Sequence, residues 1–361
     1  MNAYIVEQDA LLHNIRELKR LANGVPIWAV LKGDGYGIGA LPLARLLRSE
    51  GIDRFCVTEL REAALLRENG FDDAEILMLR VTNDTALLRA LLDLGVILTV
   101  GSTQSAATVS ALAAGCGTSA RVHLKVDTGM GRFGFAPCET EAMRRVFADP
   151  NLRVCGVFTH FNCAYGDEKL TRHEFAAFRE VVASLRTAGL EPGMVHCCNS
   201  SAFLRFPEMH CDAVRLGSAL LGRVTVRNTL RPVGYCLSAV DELHRLEKGQ
   251  TTGYSAVWKA KRDTVAAIVP IGWYHGLRIG MKVDLNRKRD CLRAILGDFR
   301  AFLHGNATYV TIQGRKCRVI GVVGMLHCAV DVTGMEICPG DEVRLEINPL
   351  HVKGLPVEFR R

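Results

Sequence analysis

No apolar run in the 361-residue chain approaches the ~18 residues that a membrane-crossing helix needs, so no membrane partner is expected. The 13 cysteines show no paired CxxC or HxxxH spacing. His196-Cys197-Cys198 and His210-Cys211 cluster metal-binding residue types, but not at the intervals of a zinc site, so no metal is expected. An odd number of cysteines and the lack of a secretory leader argue against a disulfide framework and for reduced thiols in the cytosol. Aromatics are few, at 7%, and none interleaves the densest basic stretch, Asn286-Arg287-Lys288-Arg289. That stretch reads as a solvated loop and not as a nucleic-acid footprint, although a net charge of +7 favours anionic ligands. Low-complexity tracts are also absent.

What is present is a globular balance, 48% hydrophobic and 23% charged, suited to two domains that each bury a core. Asp9 is placed to cap a helix whose Leu11, Ile15, Leu18 and Ala22 share a face, and Asn23-Gly24 stops it. Strand patterns follow at 25–32, 55–59, 75–79, 96–101, 120–127, 154–161, 194–200 and 213–218. Amphipathic stretches such as 60–69, 86–94, 139–147 and 171–188 lie between them. Eight strand-helix repeats in roughly 220 residues match the count and length of a (β/α)8 barrel. Residues 1–231 are assigned to it. From 232 to 361 short Val-, Ile- and Thr-rich runs alternate with Gly and Asp turns, as around Tyr309 and Cys317, which predicts a second, mostly antiparallel β domain.

In such a barrel, chemistry gathers where strands run into their following loops. Lys32 closes the first strand pattern and meets the glycine-punctuated Gly33-Asp34-Gly35-Tyr36-Gly37. A strand-end amine that loses water has its pKa lowered from about 10.4 toward a value useful for nucleophilic or base chemistry. The fifth strand leads into Lys125-Val126-Asp127-Thr128-Gly129-Met130-Gly131-Arg132, and the sixth ends at His160. Asn199-Ser200-Ser201 and Arg215-Leu216-Gly217-Ser218 end the last two strands in turns rich in free N–H groups, which suit a phosphate. A lysine on the first strand and phosphate-competent turns on the last two point to a phosphorylated cofactor held through the amine.

These residues resemble the alanine racemase family, pyridoxal-phosphate enzymes with an N-terminal barrel and a C-terminal β domain. The resemblance covers nearly the whole chain. It is carried by the run from Ala29 to Gly39, by His123 to Gly134, and by Thr159-His160-Phe161, Asn199-Ser200 and Val214-Arg215-Leu216-Gly217. Gly253-Tyr254 and Pro270-Ile271-Gly272 extend it into the second domain. The resemblance implies that Lys32 carries pyridoxal 5'-phosphate and exchanges a proton on one face of the substrate Cα. Tyr254, supplied by the partner subunit of a homodimer, works on the other face. A tyrosine of ordinary pKa about 10 needs cationic help, which His160 and Arg215 are implied to give. Arg215 is also implied to bond the pyridine nitrogen, where a fixed cation opposes ring protonation and favours simple proton exchange. Tyr36, His160, Asn199, Ser200, Gly217 and Ser218 are implied cofactor ligands. Arg132 and Met325 are implied substrate contacts, and Lys125 is the candidate for a carbamylated lysine that orients Arg132.

The chain departs from the family pattern at Leu326, where an aspartate is usual, and at Val322, where an arginine is usual. The familiar Gly-Tyr-Ala-Asp-Gly is Gly272-Trp273-Tyr274-His275-Gly276, Tyr165 replaces a frequent aspartate, and Phe359 takes the place of a phosphate-contacting tyrosine. The resemblance implies that most of these positions belong to the substrate entrance and the partner-supplied wall, so a racemase acting on serine, lysine or a broader set is the alternative to one for alanine. Gly35-Tyr36-Gly37-Ile38-Gly39-Ala40 also fits a dinucleotide motif, but a doubly wound sheet leaves Lys32 and both late turns without a task. A cofactor-homeostasis barrel lacks the domain that carries Tyr254. A decarboxylase or aldolase on the same cofactor is disfavoured by Arg215. The expectation is a cytosolic, homodimeric amino-acid racemase.

Overall fold

The computed structural model describes residues 2–279, 288–304 and 307–361. They form two compact units, one of residues 8–233 and one of residues 2–7 with 234 onward.

The first unit contains eight parallel strands: Ile27–Val30, Arg54–Val57, Glu75–Met78, Leu98–Val100, Ala120–Lys125, Leu152–Phe158, Met194–His196 and Val214–Leu216. Each overlaps one strand expected from the sequence. They pair in chain order as two four-stranded sheets, and the first strand pairs with the last through Ile27 and Val214. Parallel bridges from Leu77 to Ile97 and from His196 to Ala213 join the two sheets and close the ring. The chain therefore folds as a (β/α)8 barrel, with Trp28, Val30, Cys56, Leu77, Ile97 and Ala213 in one of its buried clusters. The fifth and sixth strands slip register between Val122 and His123, where Gly156 comes opposite His123. A Cβ at Gly156 would stand 2.7 Å from the His123 ring, so the bulge and the glycine together admit that imidazole to the interior.

The helix Gln8–Ala22 buries Leu11, Ile15, Leu18 and Ala22 as their spacing requires. It begins one residue before Asp9, which therefore lies in the first turn, complementing the helix dipole instead of capping it. Asn23 and Gly24 end the helix in left-handed backbone. The first barrel strand also stops earlier than expected, at Val30, and Lys32 opens a turn.

The second unit is built on a nine-stranded sheet. Eight of its nine strands form seven antiparallel pairs, as expected. The hairpin joining Tyr309–Ile312 to Arg315–Ile320 turns on Gln313 and Gly314, both at positive φ, whose twist matches that of the strands. Two features correct the sequence reading. The strand Ala3–Glu7, expected in the barrel, pairs with Gly234–Ala239 and, in parallel, with Val357–Arg360. A 17-residue helix, Lys288–His304, interrupts the β pattern. Asn286 and Arg287 of the basic stretch lie outside the described residues, and Lys288 starts this helix instead of continuing a loop.

Candidate active site

From Gly33 to Gly37 five successive residues have φ between 53° and 87°, one turn of left-handed backbone directly after Lys32. An L-residue pays roughly 1–2 kcal/mol for this conformation, so the alternating glycines are a physical requirement here. Asp34, between them, accepts the Ala40 N–H at 2.8 Å and anchors the helix Ala40–Ser49. The buried Glu62 carboxylate accepts from Gly33 N–H at 2.8 Å and from Thr58 N–H at 2.8 Å, tying the turn to its neighbouring strand end. The glycines thus build a left-handed turn, not the start of a right-handed helix, which removes the dinucleotide reading.

Lys32 is accessible within this unit. Nearby protein mass and then the like charge of Arg132 hold its pKa below the ordinary lysine value, against the opposing pull of Glu62. Its Nζ stands 5.8 Å from the Tyr36 ring centre. The Tyr36 hydroxyl in turn fills the space beside Gly217, where a Cβ would come within 2.1 Å of it. Ser200 Oγ accepts the N–H groups of both Gly217 and Ala219 at 3.2 Å, so the seventh and eighth strand ends share one polar turn with Ser218 between them. Asn199 Oδ1 accepts from Ser201 and Ala202 N–H at 3.1 and 3.0 Å and caps the helix Ser200–Arg205.

Lys125 is 2% exposed. Burial and then Arg132 and Arg215 bring its pKa down to about 8, against Asp127. The loop that follows is organised by Asp127, which accepts from Gly129, Gly131 and Arg132 N–H at 3.0, 3.1 and 3.0 Å. Burial alone would raise this carboxyl, but the backbone donors outweigh it and lower its pKa. Beneath the loop lies the fully buried Glu174, with Oε2 accepting from Asn162 N–H at 3.2 Å. A side chain at Gly129 would collide with it.

Arg215 is 3% exposed and, among the described residues, donates to neutral acceptors. Nη1 donates to His196 Nδ1 at 2.6 Å and to His196 O, while Nη2 donates to Thr159 O at 2.6 Å and to Cys197 O. Because a guanidinium has no acceptor, His196 must present an unprotonated Nδ1 and carry its proton on Nε2. That proton then points at His123 Nδ1, 3.0 Å away. Burial, then the charge of Arg215, pushes the pKa of His196 well below the ordinary value and that of His123 to about 3, so both rings are neutral near neutral pH. His160 is depressed by burial, then by Arg215, Lys125, Arg132 and Lys32, which places one imidazole in the field of four cations.

The barrel thus gathers Lys32, Tyr36, Lys125, His160, Ser200 and Arg215 from residues far apart in sequence. His123, His196, Glu62 and Glu174 belong to the same assembly; of these the sequence drew attention only to His196, in a metal-type cluster that was set aside, and gave none of them a place in the site. Their only signal was a polar residue inside an apolar strand or helix pattern. The neighbouring Cys197 and Cys198 thiols donate to Met209 O at 3.0 and 3.2 Å and serve as packing groups.

In the second unit Tyr254 is 70% exposed on a turn where Gly253, Ser255 and Ala256 all have positive φ. Gly253 is packed so closely on the backbone of Val322 that a Cβ would lie 2.8 Å from its N. Met325 O accepts Tyr274 N–H and Gly324 O accepts Trp273 N–H, both at 3.0 Å, so the residues departing from the family pattern at 273, 274, 322 and 326 lie on turns joined to those of Tyr254 and Met325. Phe359 lies in the parallel edge strand opposite Val6.

Residues 6–224 match the alanine racemase N-terminal domain and residues 235–349 the alanine racemase C-terminal domain. The chain belongs to the alanine racemase family. It is accordingly an amino-acid racemase, an isomerase. The alanine racemase of Sorangium cellulosum is 36% identical over 348 residues, 92% of this chain and 85% of that protein. That of Desulforamulus reducens is 32% identical over 349 residues, 94% of this chain and 88% of the other. Among solved structures, alanine racemase from E. faecalis superposes with a TM-score of 0.83 at 27% identity, covering 99% of this chain and 98% of that one. The alanine racemase of the D-cycloserine producer Streptomyces lavendulae shares the fold, with a TM-score of 0.84 at 23% identity over 100% and 97% of the two chains.

Proposed function

We propose that the chain interconverts L- and D-alanine with pyridoxal 5'-phosphate, Lys32 and Tyr254 acting as the two bases. The observation that carries this is the convergence of Lys32, the Ser200–Gly217 turn and Arg215 at the C-terminal ends of barrel strands. These residues fit the group. The amine is accessible with a lowered pKa, the Ser200–Gly217 turn is a polar strand-end turn packed against Tyr36, and the buried guanidinium faces no carboxylate among the described residues. Ser200, Gly217 and Ser218 hold the phosphate beside Tyr36, with Asn199 fixing their turn. Arg215, held by His196, would pair with the pyridine nitrogen of the bound group. The bound cofactor supplies an electron sink that acidifies the substrate α-hydrogen. Lys32 Nζ removes or returns that proton on one face and Tyr254 Oη does so on the other, as inversion requires. His160 relays the cationic influence of Arg215 toward the phenol. Arg132 and Met325 orient the substrate carboxylate. Lys125, whose pKa near 8 leaves a neutral fraction of amine at cytosolic pH, would take up carbon dioxide as a carbamate, releasing one proton, and steady Arg132.

Catalysis by the second unit's Tyr254 implies a homodimer in which the second unit of each chain serves the partner's barrel unit, residues 8–233. A cytosolic location agrees with an odd number of cysteines, 13, that show no paired spacing. No described helix is long and apolar enough to cross a membrane. The departures at Val322, Leu326, Tyr165 and Phe359 support the second reading, a racemase of broader substrate range, because they exchange entrance charge and a hydroxyl for apolar surface. Circular dichroism over single enantiomers of alanine, serine and lysine tests both readings. Inversion of alanine fastest supports the first, preference for serine or lysine supports the second, and no inversion of any removes both.

A further inference from the structure

The helix Lys288–His304 turns its apolar side outward. Leu292, Ile295, Leu296, Phe299 and Leu303 are each 53–62% exposed. Their spacing puts them in one stripe about 100° wide, whereas the half-buried Ala294 and Ala301 face away from it. A solvated helix ordinarily buries its large apolar side chains and exposes its small or polar ones, so this stripe is shaped for a partner. Arg293 and Arg300 border one edge of the stripe and Asp298 the other.

We propose that the stripe seats a second copy of this chain, the two helices lying parallel about a two-fold axis. That orientation sets the basic edge of each helix against the acidic edge of the other, whereas an antiparallel pair would set arginine against arginine. The mixed signs also fit a protein seam better than an anionic bilayer, which calls for a basic border on both sides. Spacing of three and four residues is that of helix–helix seams. At roughly 100 Å² for each half-exposed large side chain, the stripe offers ~500 Å² per protomer, over half of the ~800 Å² of a standard interface. Tyr254, Trp273, Met325 and Leu326 of the same unit expose further apolar surface. The inference rests on the homodimer reading above and gives that dimer a specific contact.

Sedimentation equilibrium on the cofactor-loaded full chain tests it, with circular dichroism to verify folding. Leu296→Asp combined with Phe299→Asp, both on exposed positions, is expected to weaken association on the order of 100-fold. Asp298→Arg alone is expected to weaken it about 10-fold, and Arg300→Asp added to the same chain to restore it. A folded Leu296→Asp/Phe299→Asp variant that associates like the wild type overturns the surface while leaving the dimer intact. So does wild-type binding to phosphatidylglycerol vesicles that the same variant loses. A wild-type chain that sediments as a single copy with full racemase activity overturns the dimer reading itself.

Discussion

Lys32 and the buried histidines carry the residue-scale consequences. Lys32→Ala is expected to abolish both the visible absorbance of bound pyridoxal phosphate and racemisation in either direction; a variant that keeps both would end the assignment. His123 and His196 make a separate prediction because their folded pKa values lie below the unfolded one. Between those values the folded chain binds fewer protons than the unfolded chain, so stability falls as pH falls. For His123 the window runs from about 6.5 down to about 3, at no more than about 1.4 kcal/mol per pH unit for each ring. Urea midpoints measured from pH 7 to 5 should therefore drop more steeply for the wild type than for His123→Phe. Lys32 was legible in the sequence because a lysine closing an apolar run stands out. The two histidines were not, since only barrel closure brings strands five, seven and eight together around Arg215.

Among the elements, the left-handed turn after Lys32 makes the sharpest demand on the sequence. Gly35 has φ 63°, and a Cβ there would lie 3.0 Å from Ala40 N. Gly35→Ala is expected to cost about 1–3 kcal/mol and to lower the calorimetric melting temperature by several degrees, with a smaller loss at the roomier Gly24. The eight barrel strands and most helices were readable from their periods, because parallel strands buried on both faces leave continuous apolar runs. The glycines after Lys32 were visible, but their handedness was not, since the pattern treats the strand as running on to the lysine. The helix Lys288–His304 escaped notice among the β runs around it. The strand Ala3–Glu7 did so too, because its partners, Gly234–Ala239 and Val357–Arg360, lie more than 200 residues away.

For the whole molecule, the proposed completion of the site across two chains predicts complementation. Lys32→Ala and Tyr254→Phe chains, each inactive alone in at least one direction, should regain roughly a quarter of wild-type activity when unfolded together and refolded at equal amounts, by random pairing. No recovery, in a mixture shown to contain hybrid dimers, would mean that each chain supplies both bases itself. The neutral ring of acceptors around Arg215 reaches furthest at this scale. A permanent positive charge sealed in the barrel and facing no carboxylate among the described residues is an electrostatic load on the unliganded fold. A negatively charged vitamin derivative seated beside it would relieve that load, so folding and loading are thermodynamically linked. At a hundredfold excess over its dissociation constant such a ligand adds about 2.7 kcal/mol. How much of this protein a cell can keep folded would then follow its supply of vitamin B6.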